Sequence, residues 1–199
     1  MKTINIIILA LVFGIIGGGI SSLIIFKMQE SENNLIKNFY LTENAVHVSP
    51  HSLRVKMSQG VKDFILVDLR SGEEYDKEHI AGAISIPAYR SKDKSAYDEV
   101  DRIVGSFENL PKDKDIIVYC YSMPCMTGRK IGKMLVEHGI YVKHLGIGWN
   151  EWRYFWNLWN HEYEWNQTKV MDYIATGDKP GAPKLNMTVE PCSVGGFSC

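Results

Sequence analysis

Two cysteines five positions apart can do chemistry in this chain. They stand in the stretch Cys120-Tyr-Ser-Met-Pro-Cys-Met-Thr-Gly-Arg129, which follows the apolar run Asp115-Ile-Ile-Val-Tyr-Cys120. A thiol attacks as its thiolate, and cations or the unpaired N–H groups of a helix start lower its pKa. Arg129 and Lys130 supply charge near the loop, and apolar Ile131, Met134 and Leu135 predict a helix from Thr127 to His138 capped by Gly139. Cys120 is therefore expected at the carboxyl end of a buried strand, where open α/β sheets bind their ligands, as the nucleophile. A strand cysteine is also among the most buried residue types, so its neighbours must decide between reactive and inert.

The elements that position this stretch are legible as alternating strands and helices. Ser49-Pro50 places a capping residue and a first-turn proline ahead of Leu53, Val55 and Met57, which predicts a short helix ending near Gly60. Phe64-Ile-Leu-Val-Asp68 is a short branched apolar run, the pattern of a strand covered on both faces. Ser71-Gly-Glu-Glu74 fits a capping box, and Ile84-Ser-Ile86 reads as another strand stopped by Pro87. Tyr89 to Phe107 carries Tyr97, Val100, Ile103, Val104 and Phe107 at amphipathic helical spacing, and Tyr141 to Leu145 supplies a further strand. These intervals predict an α/β fold, a doubly wound parallel sheet with helices on both faces. Four of five tryptophans fall between Glu151 and Trp165, an aromatic cluster of the kind that fills cores.

The 199 residues, with 22 basic against 23 acidic side chains, suit one domain plus appendages and offer no field to attract nucleic acid. Between Lys2 and Lys27 lie 24 residues without a charge. As a helix they span roughly 30 Å, the thickness of a bilayer core, and they exceed the roughly 7–15 apolar residues of a cleaved signal. The expected organisation is a transmembrane signal-anchor over 1–27, a stalk over 28–46, a domain over 47–165 and a loop-like tail over 166–199. A short tail before the first span favours a single-pass protein with the soluble domain outside the cytoplasm. Cys192 and Cys199, in the last eight residues, most simply form a tail disulfide in an oxidising compartment. A metal site would need ligands that the sequence does not place nearby.

Several fragments together resemble the rhodanese family. Val67-Asp-Leu-Arg70, Glu73-Glu-Tyr75, His79-Ile-Ala-Gly-Ala83-Ile84 and Ile86-Pro87 look like its first signature. Val118-Tyr-Cys120, Gly139 and the closing Leu145-Gly-Ile-Gly-Trp149-Asn-Glu-Trp152 look like its second half, in the expected order over about residues 47 to 160. The resemblance implies a thiosulfate-type sulfurtransferase without metal or organic cofactor. A small sulfur-containing anion donates sulfur to Cys120 as a persulfide, and a thiol or cyanide accepts it. Loop N–H groups would hold the anion, with Tyr121, Ser122, Met123, Pro124, Met126, Thr127, Gly128 and Arg129 as the binding residues.

The chain departs from the family pattern in this loop, which is longer by about two residues and holds a second thiol. The position that a phosphatase relative fills with arginine is Met126, which argues against phosphatase chemistry. Cys125 has three readings: a resolving thiol, a second sulfur carrier, or a bystander. Asp68 and Arg70 are expected to support the strand end as an ion pair, and His79 to hydrogen-bond within the turn that follows it. A thiol–disulfide oxidoreductase using Cys120 and Cys125, and a non-catalytic binding module, are the rival functions.

Overall fold

The computed structural model describes residues 11–19, 21–22 and 31–184. The expected span 1–27 therefore lies mostly outside the described residues, as do Cys192 and Cys199. Among the described residues no helix is long and apolar enough to cross a membrane. The chain divides into two units at Glu43/Asn44. Helix α1 (Glu32–Val46) occupies the expected stalk and buries none of its side chains, leaving Leu35, Ile36, Phe39 and Tyr40 exposed.

The second unit runs β1 (His47–Val48), α2 (Pro50–Ser58), β2 (Phe64–Asp68), α3 (Gly72–Lys77), β3 (His79–Ile80), β4 (Ala83–Ser85), β5 (Tyr89–Ser91) and β6 (Lys94–Ser95). It continues through α4 (Val100–Glu108), β7 (Asp115–Tyr119), α5 (Thr127–Val136), β8 (Lys143–Leu145), α6 (Trp149–Tyr154), α7 (Trp156–Trp159) and β9 (Ile174–Ala175). The expected caps are present. Ser49 accepts from the Ser52 N–H at the start of α2, and Ser71 and Glu74 form the capping box of α3.

Five strands form one parallel sheet in the order β1-β8-β7-β2-β4. Side chains alternate across it with the period of two that a pleated strand imposes. Leu66, Ile117 and Tyr119 face Leu53 and Met57 of α2, Tyr75 of α3 and Trp152 of α6. Val67, Val118 and Cys120 face Ile103 and Phe107 of α4 and Ile131 and Leu135 of α5. Neighbouring β2 and β7 thus send their following helices to opposite faces. The switch point of the sheet therefore lies between their carboxyl ends, the place where doubly wound sheets form their ligand crevice.

Three expectations need correction. The predicted helix over 89–107 is confined to Val100–Glu108, and the preceding residues form the antiparallel pair β5–β6. Its charges are spent on Arg90, which pairs with Asp98 and Glu99 and ties the hairpin to the segment before α4. The expected strand over 141–145 begins only at Lys143. The domain also continues past 165. In the segment expected to be a loose tail, β9 pairs antiparallel with β3, and Gly82 N–H donates to Pro180 O. The physical reason is the backbone of β3 and its turn, whose N–H groups need partners once buried. Of the four tryptophans expected as core, Trp152 and Trp156 are buried and Trp159 is half-buried, whereas Trp165 is exposed; Trp149, just before the cluster, is buried with them.

Candidate active site

Cys120 is the first residue after β7, and the alternation that buries Val118 carries its side chain into the same apolar layer. Only 1 % of Cys120 is exposed, whereas Cys125 is half-buried. The loop folds back through a turn in which Cys125 N–H donates to Ser122 O at 3.0 Å. This brings the two Sγ atoms to 3.2 Å, within hydrogen-bond contact for sulfur. Met123, Pro124 and Met126 are exposed around Cys125, while Thr127 and Gly128 are buried at the start of α5.

A cluster of hydroxyl groups completes the thiol site. Thr127 Oγ1 lies 3.4 Å from Cys125 Sγ, 2.8 Å from the Tyr89 hydroxyl and 2.7 Å from the Tyr97 hydroxyl. A hydroxyl has one proton to give and two lone pairs to accept with. If both tyrosines donate to Thr127, its own proton points at Cys125. Burial is the largest influence on the Cys125 thiol and pushes its pKa up, but hydrogen bonds outweigh it. They come from the Thr127 side chain and N–H, from Cys120 and from the Tyr121 N–H, and they bring Cys125 below its ordinary value. Burial pushes the Cys120 thiol far up, and the neighbouring Cys125 adds to the rise. The pair therefore consists of a protonated inner thiol and a more acidic outer one.

The loop is held from three sides. Trp149 N–H and Asn150 N–H, in the first turn of α6, donate to Cys120 O at 2.7 Å and Tyr121 O at 2.8 Å. The Glu151 carboxylate accepts from Met123 N–H at 3.1 Å and Gly148 N–H at 3.0 Å. Gly148 passes so close to the loop that a Cβ there would stand 2.2 Å from Ser122 N. Arg129, expected to contribute charge to an anion, donates to Met123 O and Cys125 O and clasps the loop carbonyls. The Tyr121 hydroxyl donates to Glu74 of α3. Beneath α5, a Cβ on Gly128 would meet His144 Nε2 at 2.1 Å. Burial, with help from His47 and Arg129, lowers the pKa of His144 to about 4, so this ring is neutral.

Asp68 and Arg70 form the expected ion pair at 2.6 Å at the end of β2. Asp68 also accepts from the Tyr119 hydroxyl, and the Arg70 guanidinium lies 4.2 Å from the Trp149 ring centroid. His79 does not bond forward into its turn. Its Nδ1 contacts Tyr75 O at 2.8 Å, its Nε2 contacts Pro180 O at 3.3 Å, and its ring stacks on Tyr75. The stacked Tyr75 lies behind it, and the segment after residue 165 returns to its other side.

Tyr89, Tyr97, Gly148 and Glu151 do most to shape the thiol loop without themselves being thiols. Glu151 and Gly148 stand inside a motif legible in the sequence, but Tyr89 and Tyr97 carry no local mark. Their spacing of eight says nothing of a shared partner 30 residues onward.

Comparison with known proteins adds a family to this geometry. The family model described as the rhodanese-like domain matches residues 49–154. The chain is 27% identical over 87 residues to the thiosulfate sulfurtransferase GlpE of Coxiella burnetii, covering 44% of this chain and 68% of that one. It is 35% identical over 88 residues to the HTH-type transcriptional regulator Rv0324 of Mycobacterium tuberculosis, 44% of this chain but only 34% of the regulator's length. Among solved structures, the BH2092 protein of Bacillus halodurans matches with a TM-score of 0.50 and 25% identity, over 78% of this chain and 96% of that one.

Proposed function

From the premise that the chain belongs to the rhodanese-like domain family, we propose that it is a sulfurtransferase. It moves sulfane sulfur from a thiosulfate-like donor to a thiol or cyanide through a persulfide on the Cys120–Cys125 pair. The observation that carries this reading is the pair itself, two thiols 3.2 Å apart in the crevice at the carboxyl end of β7, one of them acidified. Nucleophilic attack needs a thiolate, and hydrogen bonds at the start of α5 favour the anion. The loop is longer than the family's usual one, so a donor bulkier than thiosulfate also fits the proposal. The uncharged run between Lys2 and Lys27 supports a membrane anchor.

The test is exposure of the reduced full-length chain to thiosulfate and to an organic persulfide, with sulfite release and intact mass as readouts. Sulfite release by the wild type and a one-sulfur mass gain on at least one of the Cys120→Ser and Cys125→Ser single variants are expected, and both should be absent from the double variant. Wild-type protein that releases no sulfite from thiosulfate, with single variants that take up no sulfur from any donor, would falsify the reading. The same thiol contact favours thiol–disulfide exchange as a second reading, distinguished by turnover that needs no sulfane donor.

A further inference from the structure

We propose that sulfur enters on Cys125 and that Cys120 resolves the persulfide, releasing hydrosulfide and closing a Cys120–Cys125 disulfide. The proposal rests on the sulfurtransferase reading and reverses the roles expected from position alone, in which the strand-end cysteine carries the sulfur. Access decides the order. Cys120 is 1 % exposed and packed with Val118, Ile131 and Leu135, so a donor anion in solution has no approach to its sulfur. Cys125 is half-buried between exposed Pro124 and Met126. Thr127 Oγ1, which also contacts the Tyr89 and Tyr97 hydroxyls, lies 3.4 Å from Cys125 Sγ, within reach to donate to that sulfur once it is a thiolate. The lowered pKa of Cys125 and the raised pKa of Cys120 agree with this order.

In the first step the Cys125 thiolate attacks the outer sulfur of thiosulfate. An S–S bond to Cys125 forms, the bond to the sulfonate sulfur breaks, and sulfite leaves. In the second step Cys120 attacks the inner sulfur of the persulfide from a starting Sγ–Sγ distance of 3.2 Å. Its proton passes to the departing sulfur, which leaves as hydrosulfide. The sulfane sulfur is reduced and the two cysteine sulfurs are oxidised to the disulfide. An external dithiol must reduce that disulfide before the next turnover. The buried thiol thus acts late, when its proton is needed by the leaving group.

The experiment follows the full-length chain with thiosulfate, without and with a small dithiol. Wild type is expected to release one sulfite and one hydrosulfide per chain and stop as a disulfide, then turn over continuously once the dithiol is added. Cys120→Ala is expected to stop as a stable persulfide mapped to Cys125, with no hydrosulfide; Cys120→Ser serves if the alanine variant does not fold. Cys125→Ser is expected to accept sulfur about tenfold more slowly or worse, since each unit of thiol pKa above the working pH costs tenfold in thiolate. A persulfide on Cys120 in Cys125→Ser at the wild-type rate overturns the order while leaving the sulfurtransferase reading intact. A wild-type persulfide that persists without disulfide overturns the resolving step. Sulfur on no variant and not on wild type removes both.

Discussion

Two strand ends lie side by side at the same crevice, and they are built in opposite ways. At the end of β2, Asp68 is fully buried and saturated by the Arg70 backbone and guanidinium and by the Tyr119 hydroxyl. At the end of β7, Cys120 and Cys125 face each other with a gradient of exposure from one sulfur to the other. A buried carboxylate whose oxygens are all engaged holds its arrangement and has no lone pair left for a substrate. The thiol pair has weak partners and one reachable sulfur. The contrast separates what braces the crevice from what can react in it.

Substitutions should divide along that line. Arg70→Ala leaves the buried Asp68 carboxylate with the residue-70 N–H and the Tyr119 hydroxyl but no compensating charge, and removing one partner of a buried pair costs about 3–5 kcal/mol. Urea unfolding should register that loss, and a loss below about 1 kcal/mol would break the comparison. His144, under the thiol loop, makes the next largest contribution through pH. Its pKa is near 4 folded and about 6.5 unfolded. Below pH 6.5 the unfolded chain binds a proton that the folded chain refuses, so stability falls from there to about pH 4 and then levels. The total is on the order of 3 kcal/mol. His144→Leu should flatten that part of the stability profile; an unchanged profile would assign the acid sensitivity elsewhere.

Gly148→Ala forces α6 and the loop apart, because the atoms a Cβ would strike are backbone of Tyr121 and Ser122. Overpacking of this kind costs about 1–3 kcal/mol, and here sulfur acceptance should fall with it. Thr127→Val removes the hydroxyl that lies 3.4 Å from Cys125 Sγ and favours its anion. The pH at which sulfur acceptance reaches half its maximum should rise, by about one unit, and the rate at neutral pH should drop about tenfold. Its melting temperature should move little by comparison with Arg70→Ala. A pH profile unmoved by Thr127→Val would show that the hydroxyl cluster is packing and not tuning. The smallest stability effect belongs to Cys125→Ser, within about 0.5 kcal/mol at a half-exposed loop site, although sulfur acceptance slows about tenfold or more.

Much of this was legible locally. The capping box at Ser71 and Glu74 and the apolar runs of β2 and β7 stand as contiguous patterns, and Asp68 and Arg70 are close enough in sequence to pair. The β5–β6 hairpin was hidden because Val100, Ile103, Val104 and Phe107 share their helical spacing with upstream Tyr97, while Arg90, Asp98 and Glu99 interact in ways that periodicity does not register. The partnership of His79 with Pro180 was hidden for a different reason: the two residues are 101 positions apart.

By itself the sequence determined the parallel α/β sheet, the placement of two thiols between a central strand and a helix start, and the aromatic core. These follow from apolar periodicity and from caps a few residues long, which act before any distant contact forms. Only the tertiary structure decided which thiol can react. That choice depends on the layer that covers Cys120, on Tyr89 and Tyr97 meeting at Thr127, and on α6 pinning the loop. A cysteine's pKa and access are set by whatever surrounds its sulfur, and here most of those atoms come from residues far away along the chain.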